Sequence, residues 1–141
     1  IHSYAGVQLR LECYDMMQRQ GYEEATGTAK ITGAYNLPSK HVIHTVGPII
    51  SERLTKTDCE LLTSCYRSCM ELAENHNLRS IAFCCISTGE FRFPQEKAAE
   101  IAIDTVCKYL SVNQSAMTVV FNVFTDEDNR IYQRLLESMH Y

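Results

Sequence analysis

Apolar positions along the chain alternate between helical spacing and short continuous runs. From about Ile1 to Gln20, Leu9, Cys13, Met16 and Met17 fall on one helical face, and Gly21 supplies a stop. The polar stretch GYEEATGTA then leads to a short strand, KITGAY. Asn36 to Ser39 forms a turn into a second strand, HVIHTVGP, which Gly47-Pro48 ends. The next helix takes Thr57 or Asp58 as its cap and sets Leu62, Cys65, Tyr66, Cys69 and Ala73 at the spacing of a buried face. SIAFCCIS is almost unbroken apolar sequence, which predicts a central strand covered on both faces. Pro94 suits the first turn of a helix whose inner side carries Ala98, Ile101, Ala102, Thr105, Val106 and Tyr109. TVVFNVF reads as another buried strand, and Thr125 or Asp126 opens a last helix with Ile131, Leu135 and Met139 inward. This alternation predicts an α/β sandwich around a mostly parallel sheet.

Composition narrows the picture. A chain of 141 residues, 45% hydrophobic and 21% charged, suits one domain, and no apolar run reaches the roughly 18 residues of a membrane span. A net charge of −4 argues against a nucleic-acid module, which normally carries a basic face. Seven cysteines with no CxxC pair read as reduced, packed thiols in a cytoplasmic protein. Cys65 and Cys69 stand one helical turn apart, where a shared ligand and plain core packing are both open readings, the second fitting better. The first residue is Ile1, and the pattern starts inside a helix with no cap before it, so the chain is expected to be the later part of something longer.

The stretch IAFCCISTGEFRFPQEKAAEIAI carries the candidate chemistry. A strand breaks at Ser87-Thr88-Gly89 and passes within a few residues into a helix. In open α/β sheets ligands sit beyond the carboxyl ends of strands, where amides and a helix dipole favour phosphate. Gly89 lets backbone approach a ligand, Ser87 and Thr88 add hydroxyls, and Arg92 adds charge if it turns inward. The plainer reading is a connecting turn with solvated hydroxyls, and Glu90 counts against an anion pocket unless it points away. Two rival motifs fail by counting. No GxxxxGK[ST] string is present, and seven residues separate Cys84 from Arg92 and six separate Cys85, where a cysteine phosphatase needs five.

Three separated segments, AKITGAYNLPSKHVIHTVGP, ISTGEFRFPQEKAAEIAI and VVFNVFTDEDNRIYQRLL, resemble the macrodomain family of ADP-ribose-binding modules. STGEFRFP and FNVFTDED are most similar to its bacterial zinc-containing branch, whose members are protein-ADP-ribose hydrolases. The resemblance implies a three-layer α/β/α sandwich around a mixed, mostly parallel sheet, with residues 1–141 forming the C-terminal portion of a single macrodomain that lacks its first strands. It implies that Ser87, Thr88, Gly89, Glu90, Phe91 and Arg92 form the loop whose amides hold the diphosphate, with Phe91 by the distal ribose. Phe124 matches the aromatic lying against adenine, Asn122 shares its strand face, and Tyr35 belongs to a loop near the ribose end. Without the resemblance, Phe124 reads as core packing, as Phe83 and Phe121 do. Glu90 departs from the family, which often has an aliphatic residue there.

The resemblance further implies that the catalytic residues lie upstream of Ile1, together with the cysteine and histidine ligands of the zinc expected in the longer protein. No metal ligand is assignable in this chain. His41 and His44, three apart on a strand, face opposite ways and do not replace those ligands, and His2 reads as helix packing. The function implied is removal of ADP-ribose from modified protein side chains. The alternatives are a reader that binds ADP-ribose without hydrolysis and a truncated fragment without activity. The expected partner is ADP-ribose or an ADP-ribosylated protein, with no nucleic acid and no membrane, and an exposed sheet edge offers a route to dimerisation.

Overall fold

A computed structural model of the chain describes residues 5–21 and 25–139. The first helix that lies wholly within the described residues, α1, spans Val7–Gln20, because Gly6 at φ 95° and ψ 178° breaks the helical path just before it. The start expected at Ile1 falls on residues 1–4, and these, with His2, lie outside the described residues. Gly21 closes α1 in the left-handed conformation at φ 75°, its N–H reaching the Met17 carbonyl at 2.9 Å. Leu9 is buried, and Cys13, Met16 and Met17 are half-buried on the same side.

Strands β1 (Ala29–Gly33) and β2 (His41–Thr45) pair antiparallel, with Ile31 opposite Ile43. Alternation along β2 divides the core. Val42 packs with Ala5, Leu9 and Ala34 against α1, whereas Ile43 turns to the larger core. That larger core is organised by α2 (Lys56–Asn75), which buries Leu62, Cys65, Tyr66, Cys69, Met70 and Ala73. The pair β1–β2 therefore lies between two helices.

The cap of α2 is Thr55, not Thr57 or Asp58. Thr55 accepts the Asp58 N–H at 3.1 Å, and Asp58 accepts the Thr55 N–H at 3.0 Å. A capping residue is non-helical, as Thr55 is and Thr57 is not, and Thr55-Asp58 completes both bonds of a reciprocal capping box. Likewise Thr125, at φ −100° and ψ 156°, caps the last helix and accepts the Asp128 N–H at 3.1 Å.

Strands β3 (Ser80–Phe83) and β4 (Thr118–Phe121) pair in parallel, with Phe83 level with Phe121. Helix α3 (Gln95–Val112) joins them, with Pro94 at its cap position, and α4 (Asp126–Glu137) follows β4. Phe83 stacks on Phe121 at 6.2 Å between ring centres, with Tyr66 and Tyr132 closing the cluster at 5.0 and 5.3 Å. Both phenylalanines expected in the core are there. The two strands are shorter and less covered than expected. Phe83 is buried and Ile81 half-buried, but Ser80 and Ala82 are exposed, as are Thr118 and Val120 on the matching face of β4. The apolar run continues past Phe83 as loop, since Ser87 at φ 67° takes the chain out of the extended conformation. The described pairings are thus one antiparallel and one parallel, forming two separate two-stranded sheets. Among the described residues no helix is long and apolar enough to cross a membrane.

Candidate functional site

Parallel pairing of β3 and β4 sends both chains out at the same edge. The loop after β3 and the segment after β4 emerge side by side, tied by the Asn122 N–H to the Phe83 carbonyl at 2.7 Å. The loop carries Ser87 to Arg92, and the segment carries Asn122 and Phe124. Six of the expected contacts and two more are therefore brought to one edge of the molecule.

The loop folds back on itself through defined bonds. Gly89–Phe91 makes a single 3₁₀ turn, closed by the Arg92 N–H on the Gly89 carbonyl at 3.0 Å. The Phe93 N–H reaches the Ser87 carbonyl at 3.0 Å and anchors the turn's exit, while Phe93 itself is buried. Ser87, Gly89 and Arg92 all have positive φ, at 67°, 76° and 64°. Only Gly89 takes such a conformation without steric cost, and a Cβ placed on it would meet no atom within 4 Å. The Arg92 N–H is spent internally. The amides of Thr88, Gly89 and Glu90 precede the first bonded position of the turn, the geometry that leaves helix-start donors open to a ligand.

The hydroxyls are less available than the sequence suggests. Thr88 donates to the Cys85 carbonyl at 3.0 Å, within the loop. The Ser87 Oγ is buried and has no hydrogen-bond partner among the described residues. It faces the loop after β2, where a Cβ on Gly47 would stand 2.1 Å from it. The same loop is joined to the turn by the Ile50 N–H on the Phe91 carbonyl at 2.9 Å. From inside, the Tyr66 hydroxyl receives the Ile86 N–H at 3.4 Å, and burial holds the Tyr66 phenol well above its ordinary range, so it stays protonated. Gly47, Ile50 and Tyr66 thus support the candidate loop. Gly47 was legible only as a strand breaker, because its lack of a side chain matters through a contact with a residue 40 positions on.

Side chains in the turn divide by exposure. Glu90 and Arg92 are exposed and Phe91 half-buried. Phe124 is 99% exposed, so its ring packs against nothing in the core, and the core-packing reading falls. Asn122 and Phe124 both lie beyond the end of β4 at Phe121, so strand alternation does not govern where they face.

Tyr35 comes from a different strand pair. It follows β1 at φ 53°, and its hydroxyl donates to Glu12 Oε1 at 2.6 Å, in the α1 layer. That hydrogen bond to the carboxylate raises the Tyr35 phenol above its usual value. The Gly33 N–H shares the same oxygen at 3.2 Å. His44 stands 3.0 Å from Thr32 Oγ1 and 3.9 Å from Cys13 Sγ, while the His41 ring lies 6.2 Å from that of His76. The two β2 histidines thus serve different surroundings, as their spacing predicts. Cys65 and Cys69 are core residues, and burial pushes the Cys69 thiol up to about 12. Among the described residues no three His, Cys, Asp or Glu side chains gather as a metal site.

A model of the Macro domain family matches residues 1–102. The chain is 60% identical over 136 residues to a protein-ADP-ribose hydrolase of Treponema medium, covering 96% of this chain and 52% of that protein. It is 54% identical over 134 residues to a protein-ADP-ribose hydrolase of Staphylococcus aureus, covering 94% and 50%. The chain therefore spans about half the length of these curated relatives. Among solved structures, an Oceanobacillus iheyensis macrodomain with ADP superposes with a TM-score of 0.90 at 39% identity, over 97% of this chain and 72% of that one. A Trypanosoma brucei macrodomain in complex with ADP-ribose superposes with a TM-score of 0.82 at 34% identity, over 96% and 54%.

Proposed function

Because this chain belongs to the macro domain family, we propose that it is the C-terminal portion of a single macrodomain and supplies the diphosphate- and adenine-binding side of a protein-ADP-ribose hydrolase. The observation that carries the proposal is the shared edge of β3 and β4. There, amides of Thr88, Gly89 and Glu90 without intraturn partners lie on the segment that leaves β3, and a wholly exposed Phe124 lies on the segment that leaves β4. Backbone amides left open at the start of a turn suit a diphosphate. An aromatic ring open to solvent suits a base, whose stacking contributes about 1–3 kcal/mol. Relatives that share most of this chain's length are named protein-ADP-ribose hydrolases, which supports the same substrate class for the longer protein.

In this reading the residues described here hold and orient the nucleotide, and bond cleavage belongs to residues outside the chain. Fixing the remote diphosphate accelerates reaction at the distal sugar only by placing it correctly. Arg92 contributes charge at the rim, and Tyr35, whose hydroxyl is bonded to Glu12, belongs to the loop near the ribose end. The zinc that the family resemblance implies for the longer protein would be held by ligands outside this chain. A cytoplasmic location accords with cysteines that form no disulfide among the described residues.

The test is calorimetry on the longer protein with ADP-ribose and AMP. ADP-ribose should bind at least about tenfold more tightly, a difference of about 1.4 kcal/mol. Gly89→Val, which forces a β-branched residue to φ 76°, should weaken ADP-ribose binding while far-ultraviolet circular dichroism stays unchanged. Equal affinity for the two nucleotides, or normal binding by Gly89→Val, refutes the diphosphate role of the loop.

A further inference from the structure

Chain direction brings two distant histidines together. Strand β2 begins at His41 and runs toward the loop that supports the candidate site, and α2 runs back from Lys56 to Asn75. The end of α2 therefore returns to the start of β2. His76, at the C-terminal cap of α2, sets its ring centre 6.2 Å from that of His41, with 59° between the ring planes. Both side chains are exposed.

Each ring is held in one tautomer. His41 Nδ1 stands 3.2 Å from the Thr32 carbonyl on neighbouring β1, and His76 Nδ1 stands 2.9 Å from the Leu72 carbonyl one turn back in α2. A carbonyl oxygen only accepts, so Nδ1 carries the proton in both rings, and in the neutral imidazole the lone pair sits on Nε2. An Nδ1–H held by a backbone carbonyl, with Nε2 left basic, is the outer hydrogen bond that orients metal-ligating histidines. A ring contact alone requires neither bond.

We propose that His41 and His76 bind one divalent transition ion of the imidazole-preferring class, such as Zn²⁺, through their Nε2 atoms. The spacing fits. An Nε2–metal bond of about 2.0–2.1 Å puts each ring centre about 3.2 Å from the ion, so two rings on one ion stand at most about 6.4 Å apart. The observed 6.2 Å lies inside that limit, and a tetrahedral angle at the ion needs about 5.2 Å. The closure of about 1 Å is shared between two side chains that no core packing holds. Two nitrogen ligands select against Mg²⁺ and Ca²⁺, which take oxygen. Among the described residues no third His, Cys, Asp or Glu joins the pair, so water fills the remaining positions. Bound there, the ion ties the first residue of β2 to the end of α2, 35 positions on, and favours the folded chain because only the folded chain brings the rings together. This inference stands on β2 and α2 and is independent of the hydrolase reading.

The experiment compares the protein with His41→Gln, His76→Gln and the double variant, each freed of metal and then titrated with Zn²⁺ or Mg²⁺. Equilibrium dialysis is expected to count one Zn²⁺ fewer per chain for the double variant. Calorimetry should show a loss of affinity at that site of about tenfold or more for each single variant, since losing a ligand costs at least as much as losing its outer partner. Long-range proton–nitrogen NMR of the histidine rings reads the parent protein directly. Zn²⁺ should shift Nε2 of both residues together while Nδ1 stays protonated, and Mg²⁺ should move neither. Circular dichroism of the metal-free variants should match the parent, because both side chains are exposed. The proposal is overturned if the double variant binds as many ions as the parent, or if only one of the two rings responds to Zn²⁺. Equal shifts with Mg²⁺, or a loss below about tenfold on replacing one histidine, would mark an adventitious ion only and overturn it too.

Discussion

Gly47 offers the sharpest probe of how the candidate loop is held. A Cβ there would lie 2.1 Å from Ser87 Oγ, 2.8 Å from Ile86 Cγ2 and 3.3 Å from Ser87 Cβ. Ile86 and Ser87 are each only 8% exposed, so neither can swing into solvent. Overpacking of this kind costs about 1–3 kcal/mol, so Gly47→Ala should lower stability by about 2 kcal/mol. For a chain of this size that is a melting-temperature drop of about 5–10 °C. Ser87→Ala should act in the opposite sense. It removes a buried hydroxyl with no partner, a group whose desolvation costs about 1–3 kcal/mol, and should be neutral or stabilising by up to about 1 kcal/mol. The double variant keeps the clash with Ile86 but loses the one with Oγ. It should therefore be less unstable than the sum of the single changes, with a coupling of about 1 kcal/mol. Urea unfolding of the four proteins measures the cycle, and calorimetry with ADP-ribose reads the loop directly, since Gly47→Ala should weaken binding. If Gly47→Ala is as stable as the parent and the two changes add within about 0.5 kcal/mol, the loop does not rest on Gly47 and the support described here is wrong.

Phe124→Ala should leave stability unchanged, because the ring is 99% exposed, yet reduce ADP-ribose affinity by about 1–3 kcal/mol. Ribose-5-phosphate binding should be spared, and an equal loss for both ligands argues against base stacking. Thr55→Ala removes the acceptor for the Asp58 N–H and should cost about 1 kcal/mol in urea unfolding; an unchanged midpoint sinks the capping box. Alkaline pH supplies a further check. Burial, then the bond to Glu74, lifts the Tyr109 phenol to about 12. A raised folded value contributes stability that is complete below the unfolded value near 10 and is lost as pH climbs toward 12. Tyr109→Phe should flatten the loss of stability over that window, and identical slopes for the two proteins would show that Tyr109 does not titrate as described.

Much of the fold is legible from periodicity. The inward faces of α2 and α3 follow from apolar spacing, and Gly21 and a helix start at Thr125 or Asp126 follow from what helix ends require, since these are properties of neighbours in the chain. The cap of α2 was misplaced by two or three residues, because Thr55, Thr57 and Asp58 all have suitable side chains. Only the reciprocal bond between Thr55 and Asp58 separates them. Strand burial was overstated, since a continuous apolar run records residue type and not how many neighbours stand beside each edge.

The candidate site divides the same way. Residues Ser87 to Arg92 form one contiguous motif, so their membership of a turn after a strand was carried by the sequence itself, as was the glycine that the turn needs at φ 76°. Tertiary structure alone decided that Phe124 stands clear of the core, and that the Tyr35 hydroxyl is bonded to Glu12. It alone seats Ser87 against Gly47. The Tyr35–Glu12 and Ser87–Gly47 contacts join residues 23 and 40 positions apart, and their geometry depends on strand pairing and layer order, which no local pattern encodes.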